Sequence, residues 1–410
     1  MLIDDLAAIA NPETLGFCPN RLSRLGTMLH RYVDDGKLPF TSLAVMRKGE
    51  IAYVDHYGLR DIEAGTPMVS DGLYRIYSMS KLITTVAAMS LYEEGRFMLD
   101  DPVGAFIPEL TGQKVYVSGP FEDMKLVDPD TPVTIRQLMN HTAGFTYGLF
   151  DPTPVGRAMR RAKADFSTPD ETLADVVARL ADVPLCFQPG TRWNYGVSTD
   201  VLGRLVEVVA GKPFEDVLRE RIFEPLGMTD TFFGVPDGKI DRFCSLYTKT
   251  DENPLKLIEN ADESRFRAPA AMCSGGGGLV SSMADYLRFV EMVRRGGSLG
   301  KDRVLGRKTV EFMMLNHLPG DMASMGQATF SEMPMTGIGF GLGGAVTLDP
   351  TQSQILSSPG EFTWGGMAST AFWIDPVEEI SVVFMTQLIP SSSYPIRREM
   401  RVLVYQALVD

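Results

Sequence analysis

The hydrophobic positions near the start of the chain follow two different periods. Between residues 20 and 35 they recur at steps of three and four, which predicts an amphipathic helix that ends at Gly36. Two β-rich runs follow, at residues 41–46 and 51–57. The polar segment between these runs contains Gly49, which can adopt a positive φ, so the pair is predicted to form a β-hairpin.

The pattern becomes helical just after Ser78, and helix signals dominate to about residue 318. Within this stretch, Thr134 and Gln137 have the spacing of a capping box. Ser282 with Asp285 is predicted to cap a further helix, which ends near Gly296. The middle of the chain is therefore predicted to be mostly helical.

Short β-type runs return from Gly337 onward. They are clearest at residues 363–374 and 380–388, and a last helix is predicted at 396–408. Two terminal β regions that fold together would form a sheet flanked by helices. We therefore predict a discontinuous sheet domain (1–85 and 320–410) and a mostly helical domain (86–319), with the active site in the cleft between them.

Composition and charge narrow the class of partner. The chain has 410 residues, 44% of them hydrophobic, and a net charge of -13 without any run of Lys or Arg. Such a surface repels a phosphate backbone and an anionic membrane. The acidic N-terminal segment lacks the features of a secretory signal, and no apolar run reaches the ~18 residues of a membrane span. We expect a cytoplasmic protein with neither nucleic acid nor membrane as partner.

No cofactor or metal site is predicted. The four histidines and four cysteines lack metal-ligand spacing, and the cysteines are expected to be reduced thiols. The glycine run at 275–278 lacks the Lys-Ser/Thr ending of a phosphate-binding loop, so it is interpreted as a tight loop before a helix.

The main candidate for chemistry is the segment YRIYSMSK at residues 74–81. It places Ser-x-x-Lys at the start of an apolar-periodic helix, so Ser78 and Lys81 share one helix face within hydrogen-bond reach. Desolvation of Lys81 would lower its pKa and allow it to accept the serine proton. Free N–H groups at the helix N-terminus would stabilise an oxyanion. Because Ser-x-x-Lys also arises by chance, the pattern alone does not establish a catalytic pair.

Two further segments offer groups that a serine nucleophile requires. The turn PGTRWNY at 189–195 places Tyr195 on a loop, where a phenol beside a lysine can relay a proton; the alternative is a packing tyrosine. Trp364, Gly365, Gly366 and Met367 lie in a predicted strand. Their glycine pair marks either a bulge or a close backbone approach that directs an N–H towards a substrate carbonyl.

Together these segments resemble the serine β-lactamase and penicillin-recognising superfamily, most closely its family VIII carboxylesterases. The resemblance covers nearly the whole chain and includes the segments LMNHTAG at 138–144, IFEPLGM at 222–228 and FGLGG at 340–344. It implies an α+β fold with an antiparallel sheet flanked by helices and an inserted helical domain. It also implies Ser78 as nucleophile, Lys81 as base, Tyr195 as second proton carrier, and an oxyanion hole formed by the N–H groups of Ser78 and Met367.

Two departures from class C β-lactamases indicate the substrate class. Trp364-Gly365-Gly366 replaces Lys-Thr/Ser-Gly, which removes the cation that would bind a β-lactam carboxylate. Tyr195-Gly196-Val197 replaces Tyr-x-Asn, which removes a side-chain amide. Both changes favour a neutral ester, and residues 364–366 are predicted to contact it. The chain has no G-x-S-x-G, so a Ser-His-Asp triad is disfavoured and His141 is interpreted as structural.

The predicted activity is hydrolysis of short-chain or aromatic carboxylic esters through an acyl-Ser78 intermediate. An acyltransferase would use the same residues, so the sequence leaves that alternative open. Weak β-lactamase or D-aminopeptidase activity is less favoured. A non-catalytic ligand sensor is disfavoured because Lys81 and Tyr195 are both present beside Ser78. The expected partner is a small-molecule ester.

Overall fold

Strands from both ends of the chain meet in one antiparallel sheet in the computed structural model, which describes residues 6, 8–168, 170–268, 270 and 272–410. The strands in chain order are β1 (Phe40–Arg47), β2 (Glu50–Asp61), β3 (Thr66–Pro67), β4 (Leu73–Arg75), β5 (Val115–Ser118), β6 (Lys125–Val127), β7 (Leu246–Thr248), β8 (Lys256–Glu259), β9 (Val280–Ser282), β10 (Ser298–Leu299), β11 (Asp302–Arg303), β12 (Thr329–Phe330), β13 (Met333–Pro334), β14 (Ile338–Phe340), β15 (Ala345–Thr347), β16 (Phe362–Gly365), β17 (Ala371–Asp375), β18 (Ile380–Met385) and β19 (Leu388–Ile389). The order across the main sheet is β14-β15-β16-β17-β18-β1-β2-β3.

Helices lie on both faces of this sheet. In chain order they are α1 (Pro19–Leu22), α2 (Arg24–Asp34), α3 (Ser80–Glu93), α4 (Ile135–Met139), α5 (Pro154–Ala162), α6 (Leu173–Leu180), α7 (Ser198–Ala210), α8 (Phe214–Leu218), α9 (Glu224–Leu226), α10 (Met283–Arg294), α11 (Arg307–Met313), α12 (Pro350–Ser353) and α13 (Ile396–Tyr405). The predicted α+β class, an antiparallel sheet flanked by helices, is confirmed.

Alternation along β1 explains why both faces of the sheet are covered. Leu43 and Val45 point into a core that includes apolar residues of α2 and α13. Ala44 and Met46 point into a second core, which α10 shares with α3 and α7. Because side chains alternate along a strand, a continuous apolar run such as β1 supplies both cores and must be buried on both sides.

The predicted hairpin at the start of the chain is confirmed. β1 and β2 are antiparallel, and Arg47 pairs with Glu50 across a two-residue connection. Both connecting residues have positive φ, 54° at Lys48 and 86° at Gly49, as a type I′ hairpin turn requires. The capping box of Thr134 and Gln137 is also present, at the start of α4.

Several predicted elements differ in the structure. The predicted β run at 380–388 is divided into β18 and β19, and the last helix ends at Tyr405. The first helix is interrupted at Ser23, between α1 and α2. The predicted β run at 363–374 is two strands, β16 and β17, because the chain turns between them and Ser369 adopts a φ of 67°. The middle of the chain also contains short strands, since β5 pairs with β6 and β7 with β8. Among the described residues, no helix is both long and apolar enough to cross a membrane.

Candidate active site

The predicted nucleophile lies on a strained turn between β4 and α3. Tyr77 has a φ of 42°, which a bulky side chain rarely adopts, and residues Tyr77–Met79 form a single 3-10 turn. Side chains and backbone of other segments hold this turn in place. The Tyr286 hydroxyl donates to the Met79 carbonyl at 2.9 Å. The Ser80 hydroxyl, in turn, accepts from Leu279 N at 3.2 Å. Ser78 is half-buried and lines the cavity described below.

The ammonium group of Lys81 lies next to Ser78 and is almost completely buried. Its Nζ atom is 3.3 Å from Ser78 Oγ, 3.1 Å from the Tyr147 hydroxyl and 2.6 Å from the Gly276 carbonyl oxygen. These three acceptors match the three N–H donors of an ammonium group. The Lys81 side chain is therefore held in one position with a donor directed at the serine oxygen.

A buried carboxylate supports the glycine loop that receives Lys81. Asp200 is 2% exposed and accepts from Gly276 N at 3.0 Å and from Ser274 Oγ at 2.5 Å. Burial raises the pKa of Asp200, and the charge of Lys81 opposes that increase. The glycine run 275–278, interpreted from the sequence only as a tight loop, thus supplies a carbonyl to the site.

Sequence reasoning did not identify Tyr147. Its hydroxyl accepts a hydrogen bond from Lys81, and its ring lies edge-on to Tyr195 with centroids 5.5 Å apart. Burial of the hydroxyl and the nearby charge of Asp200 raise the pKa of Tyr147 well above 10. This phenol therefore stays protonated at neutral pH.

Tyr195 lies over the Lys81 ammonium group, on a loop anchored to residues 141–145. The loop is held by Asn194, whose backbone N donates to the His141 carbonyl at 2.9 Å and whose side chain donates to the Phe145 carbonyl at 2.8 Å. The Tyr195 ring centroid is 4.6 Å from Lys81 Nζ. Its hydroxyl accepts from the indole N–H of Trp364 at 3.3 Å. The structure thus places the predicted proton carrier beside the predicted base.

The predicted oxyanion donor Met367 lies in the turn that follows β16. A Cβ atom added to Gly366 would be 2.5 Å from the Ile76 carbonyl oxygen, so this turn approaches the backbone of the nucleophile turn closely. The turn is closed by a hydrogen bond from Gly366 N to the Thr370 carbonyl at 2.9 Å. Met367 is half-buried and lines the same cavity as Ser78.

A cavity of about 1750 Å³ is lined by Ser78, Tyr147, Tyr195, Asp200 and Met367. The predicted substrate-contacting residues Trp364, Gly365 and Gly366 are all in its wall. Near Tyr195 the wall is aromatic, and Phe330 stacks on Trp364 with centroids 5.1 Å apart and an interplanar angle of 24°. The loop that precedes β14 also contributes Met325, Met333 and Met335. Large, adaptable side chains therefore surround the space in front of Ser78.

His141 has the structural surroundings that were expected. It is 1% exposed, and its ring packs against Trp193, Tyr195 and Phe340. Burial and the charge of Lys81 place the pKa of His141 well below 6.5, so the imidazole is neutral. In the part of the chain that the structure describes, no cluster of three or more His, Cys, Asp or Glu side chains could hold a metal ion.

Comparison with known proteins identifies a family and several relatives of this chain. The family model described as Beta-lactamase matches residues 26–406. An uncharacterized protein of Mycobacterium tuberculosis is 34% identical over 366 residues, 88% of each chain. The esterase EstB of Burkholderia gladioli is 28% identical over 379 residues, 89% of this chain and 90% of EstB.

A solved structure shares the fold at similar identity. It is described as "EstCE1, a hydrolase with promiscuous acyltransferase activity" and superimposes with a TM-score of 0.79 at 29% identity. The match covers 94% of this chain and 99% of EstCE1. The relatives thus include an esterase in sequence and a hydrolase with acyl-transfer activity in structure.

Proposed function

The chain belongs to the Beta-lactamase family and is a serine hydrolase that acts on esters, and we propose that it cleaves short-chain or aromatic carboxylic esters through an acyl-Ser78 intermediate. The observation that carries the proposal is the position of Lys81. Its Nζ atom lies 3.3 Å from Ser78 Oγ and is held there by two further acceptors. An activated serine requires a base within such reach.

In the proposed first step, Ser78 Oγ attacks the ester carbonyl carbon. The step requires Lys81 as a neutral amine, whose two N–H groups can donate to Tyr147 and Gly276 while its lone pair faces Ser78 Oγ. The serine proton passes to this amine, directly or through Tyr195, and the carbonyl oxygen becomes an oxyanion that accepts from the N–H groups of Ser78 and Met367. The bond to the alcohol oxygen then breaks, and the alcohol leaves with the transferred proton. In the second step, water adds to the acyl group and gives up a proton to the same base. The acid is released and the Ser78 hydroxyl is restored.

The cavity supports a neutral and largely apolar substrate. Its wall beside the nucleophile is formed by the indole of Trp364, at the position where class C β-lactamases carry a lysine. Phe330 and the methionines of the preceding loop extend this apolar wall. A carboxylate placed against these rings would lose hydration and would not meet the lysine that class C enzymes carry at this position. This supports an ester in preference to a β-lactam as the substrate.

Acyl transfer is a second candidate for the same intermediate. EstCE1, with 29% identity and a TM-score of 0.79, is described as a hydrolase with promiscuous acyltransferase activity. The cavity of about 1750 Å³ is larger than the 300–1,000 Å³ of a typical small-molecule site. Such a cavity has room for an alcohol as well as the acyl group. Hydrolysis in the presence of added alcohol, with quantification of acid and new ester, separates the two activities.

The test of the nucleophile compares the wild type with Ser78→Ala on p-nitrophenyl butyrate. We expect turnover to fall at least about 10³-fold and the acyl adduct to disappear from the intact mass, because the attacking atom is lost. The matched control is Ser167→Ala, an exposed serine on the cavity rim, which should retain wild-type turnover. If Ser78→Ala retained wild-type activity, the proposed mechanism would be wrong.

A further inference from the structure

Arg397 connects the turn that carries Met367 to the β12–β13 hairpin, which also lines the cavity. It lies in the first turn of α13, and its side chain is 9% exposed. Its Nη2 atom donates to the carbonyl oxygens of Gly366 at 3.1 Å and Thr370 at 3.0 Å. Its Nη1 atom donates to Glu332 Oε2 at 3.2 Å. One guanidinium group therefore bridges two segments that are far apart in sequence.

The two carbonyls bound by Arg397 flank the predicted oxyanion donor. Gly366 immediately precedes Met367, and Thr370 is the residue whose carbonyl closes the turn. The turn contains the positive φ of Ser369, and it has no regular strand partners between β16 and β17. A guanidinium fork is planar and rigid, so two hydrogen bonds from it restrict both position and tilt of the peptide groups that they bind.

The other partner of Arg397 lies at the tip of the β12–β13 hairpin. Glu332 is 8% exposed at its side chain and follows Ser331, whose φ is 55°. The same hairpin carries Phe330, which stacks on Trp364 and lies 5.0 Å, centroid to centroid, from Tyr195. The ion pair therefore holds the hairpin that forms the aromatic wall next to the reacting groups.

Stability alone is a weak explanation for this arrangement. A buried ion pair contributes little net stability because desolvation offsets the attraction between the charges. Here Arg397 Nε and Glu332 Oε1 also lack hydrogen-bond partners among the described residues. Among the described residues, the hydrogen bonds of these two side chains run to the carbonyls of Gly366 and Thr370, to Ser331 on the hairpin and between the two side chains themselves.

We propose that Arg397 is a positioning residue for the ester chemistry: it holds the Met367 N–H at the oxyanion and couples that turn, through Glu332, to the aromatic wall. The proposal rests on the proposed function, since it assigns Met367 N–H to the oxyanion hole. Arg397 itself does not contact the reacting atoms. It acts through the two carbonyls that it binds.

The experiment compares Arg397→Met, Arg397→Lys and the double variant Arg397→Met/Glu332→Gln with Arg398→Met. The double variant removes both charges and so avoids an unpaired buried carboxylate. Arg398 is the matched control, because it is the next residue on α13 and its side chain donates to the exposed Gln354 carbonyl, away from the turn that carries Met367. Each protein is assayed with p-nitrophenyl butyrate well below its own unfolding midpoint. The inhibition constant of an alkyl trifluoromethyl ketone is measured as well.

We expect the Arg397→Met and double variants to lose about 10- to 100-fold in kcat, the range for a displaced oxyanion donor, with KM changed less than about threefold. The ketone inhibition constant should rise by a similar factor, because its hemiketal oxygen uses the same N–H groups. Arg397→Lys should recover part of the loss, since an ammonium can still donate to one carbonyl. Arg398→Met should match the wild type.

The proposal is overturned if the double variant unfolds at lower temperature but retains the wild-type kcat and ketone affinity. That result would give Arg397 a purely structural role. Failure of the proposed function is distinguishable, because the wild type would then show no Ser78-dependent ester turnover at all. An active wild type with unaffected Arg397 variants rejects only the positioning role.

Discussion

Two phenols lie beside Lys81, and their surroundings differ. Tyr147 accepts a hydrogen bond from the ammonium group, and burial together with the Asp200 charge keeps the pKa of this phenol well above 10. Tyr195 presents its ring face to the same ammonium group and its hydroxyl to the Trp364 indole. Tyr147 is therefore suited to holding Lys81 in place, and Tyr195 is the phenol we assign to proton transfer.

This assignment predicts unequal losses on removal of each hydroxyl. Tyr195→Phe should lower kcat for p-nitrophenyl butyrate by about 10²–10⁴-fold, the usual contribution of a proton carrier. Tyr147→Phe should lower it by about tenfold, because it removes one hydrogen bond to a charged group. Steady-state kinetics of the two matched variants measures both. A larger loss in Tyr147→Phe would reverse the two roles.

Two residues of the site were not predicted from the sequence, and the physical reason is the same for both. Tyr147 accepts a hydrogen bond from Lys81, and Asp200 binds the backbone of Gly276, whose carbonyl Lys81 contacts. Both residues lie more than 60 positions from Lys81, and neither has a spacing that points to it. Ser78 and Lys81, in contrast, are three residues apart, so local helical geometry alone places them on one face. Local periodicity predicts contacts within a turn of helix. It does not predict contacts that depend on how distant segments pack.

At the scale of the elements, the turn after β16 approaches the turn that carries Ser78 closely. Gly366 allows this approach, since an added Cβ would lie 2.5 Å from the Ile76 carbonyl oxygen and would also contact Thr370 Oγ1. Both neighbours are held in place, because Thr370 closes the turn and Ile76 N donates to the Leu279 carbonyl. The space between the two turns therefore cannot widen without moving the turn that carries Met367, the proposed oxyanion donor.

Gly366→Ala is expected to separate these two turns and to lower kcat by about 10²-fold, with Ser78 and Lys81 intact. Gly238→Ala is the matched control, because a Cβ at that glycine meets no atom within 4 Å. Ester kinetics and unfolding midpoints of both variants are compared. Wild-type kcat in Gly366→Ala would show that the closeness of the turns is not needed for catalysis.

The same elements show which parts of the fold a sequence pattern can predict. The β1–β2 hairpin was predictable because its turn signal and its two apolar runs are contiguous. The break between β16 and β17 was not, because a glycine pair in an apolar run is equally consistent with a bulge in one long strand. Only the pairing of Gly365 with Ala371 shows that the chain reverses there.

At the scale of the whole molecule, the burial of histidine side chains makes stability depend on pH; His141 is buried and His56 is half-buried. Burial lowers the pKa of His56, and burial with the Lys81 charge lowers that of His141 well below 6.5. In the unfolded chain both would titrate near 6.5. As the pH falls through 6.5, the unfolded chain therefore binds protons that the folded chain does not. The folded state loses stability over that interval, until the pH reaches the lowered pKa values of the folded protein.

The contribution of His141 can be isolated by substitution. His141→Asn is the suitable variant, because the backbone φ of 58° at this position is one that asparagine tolerates. Between pH 7 and pH 5 the wild type should lose more unfolding free energy than the variant, since one proton-binding difference is removed; the upper limit for one such site over this interval is about 2 kcal/mol. Urea unfolding of both proteins at the two pH values measures this, and any loss common to both pH values cancels in the comparison. Parallel pH dependences would mean that His141 binds a proton in the folded protein as readily as in the unfolded chain.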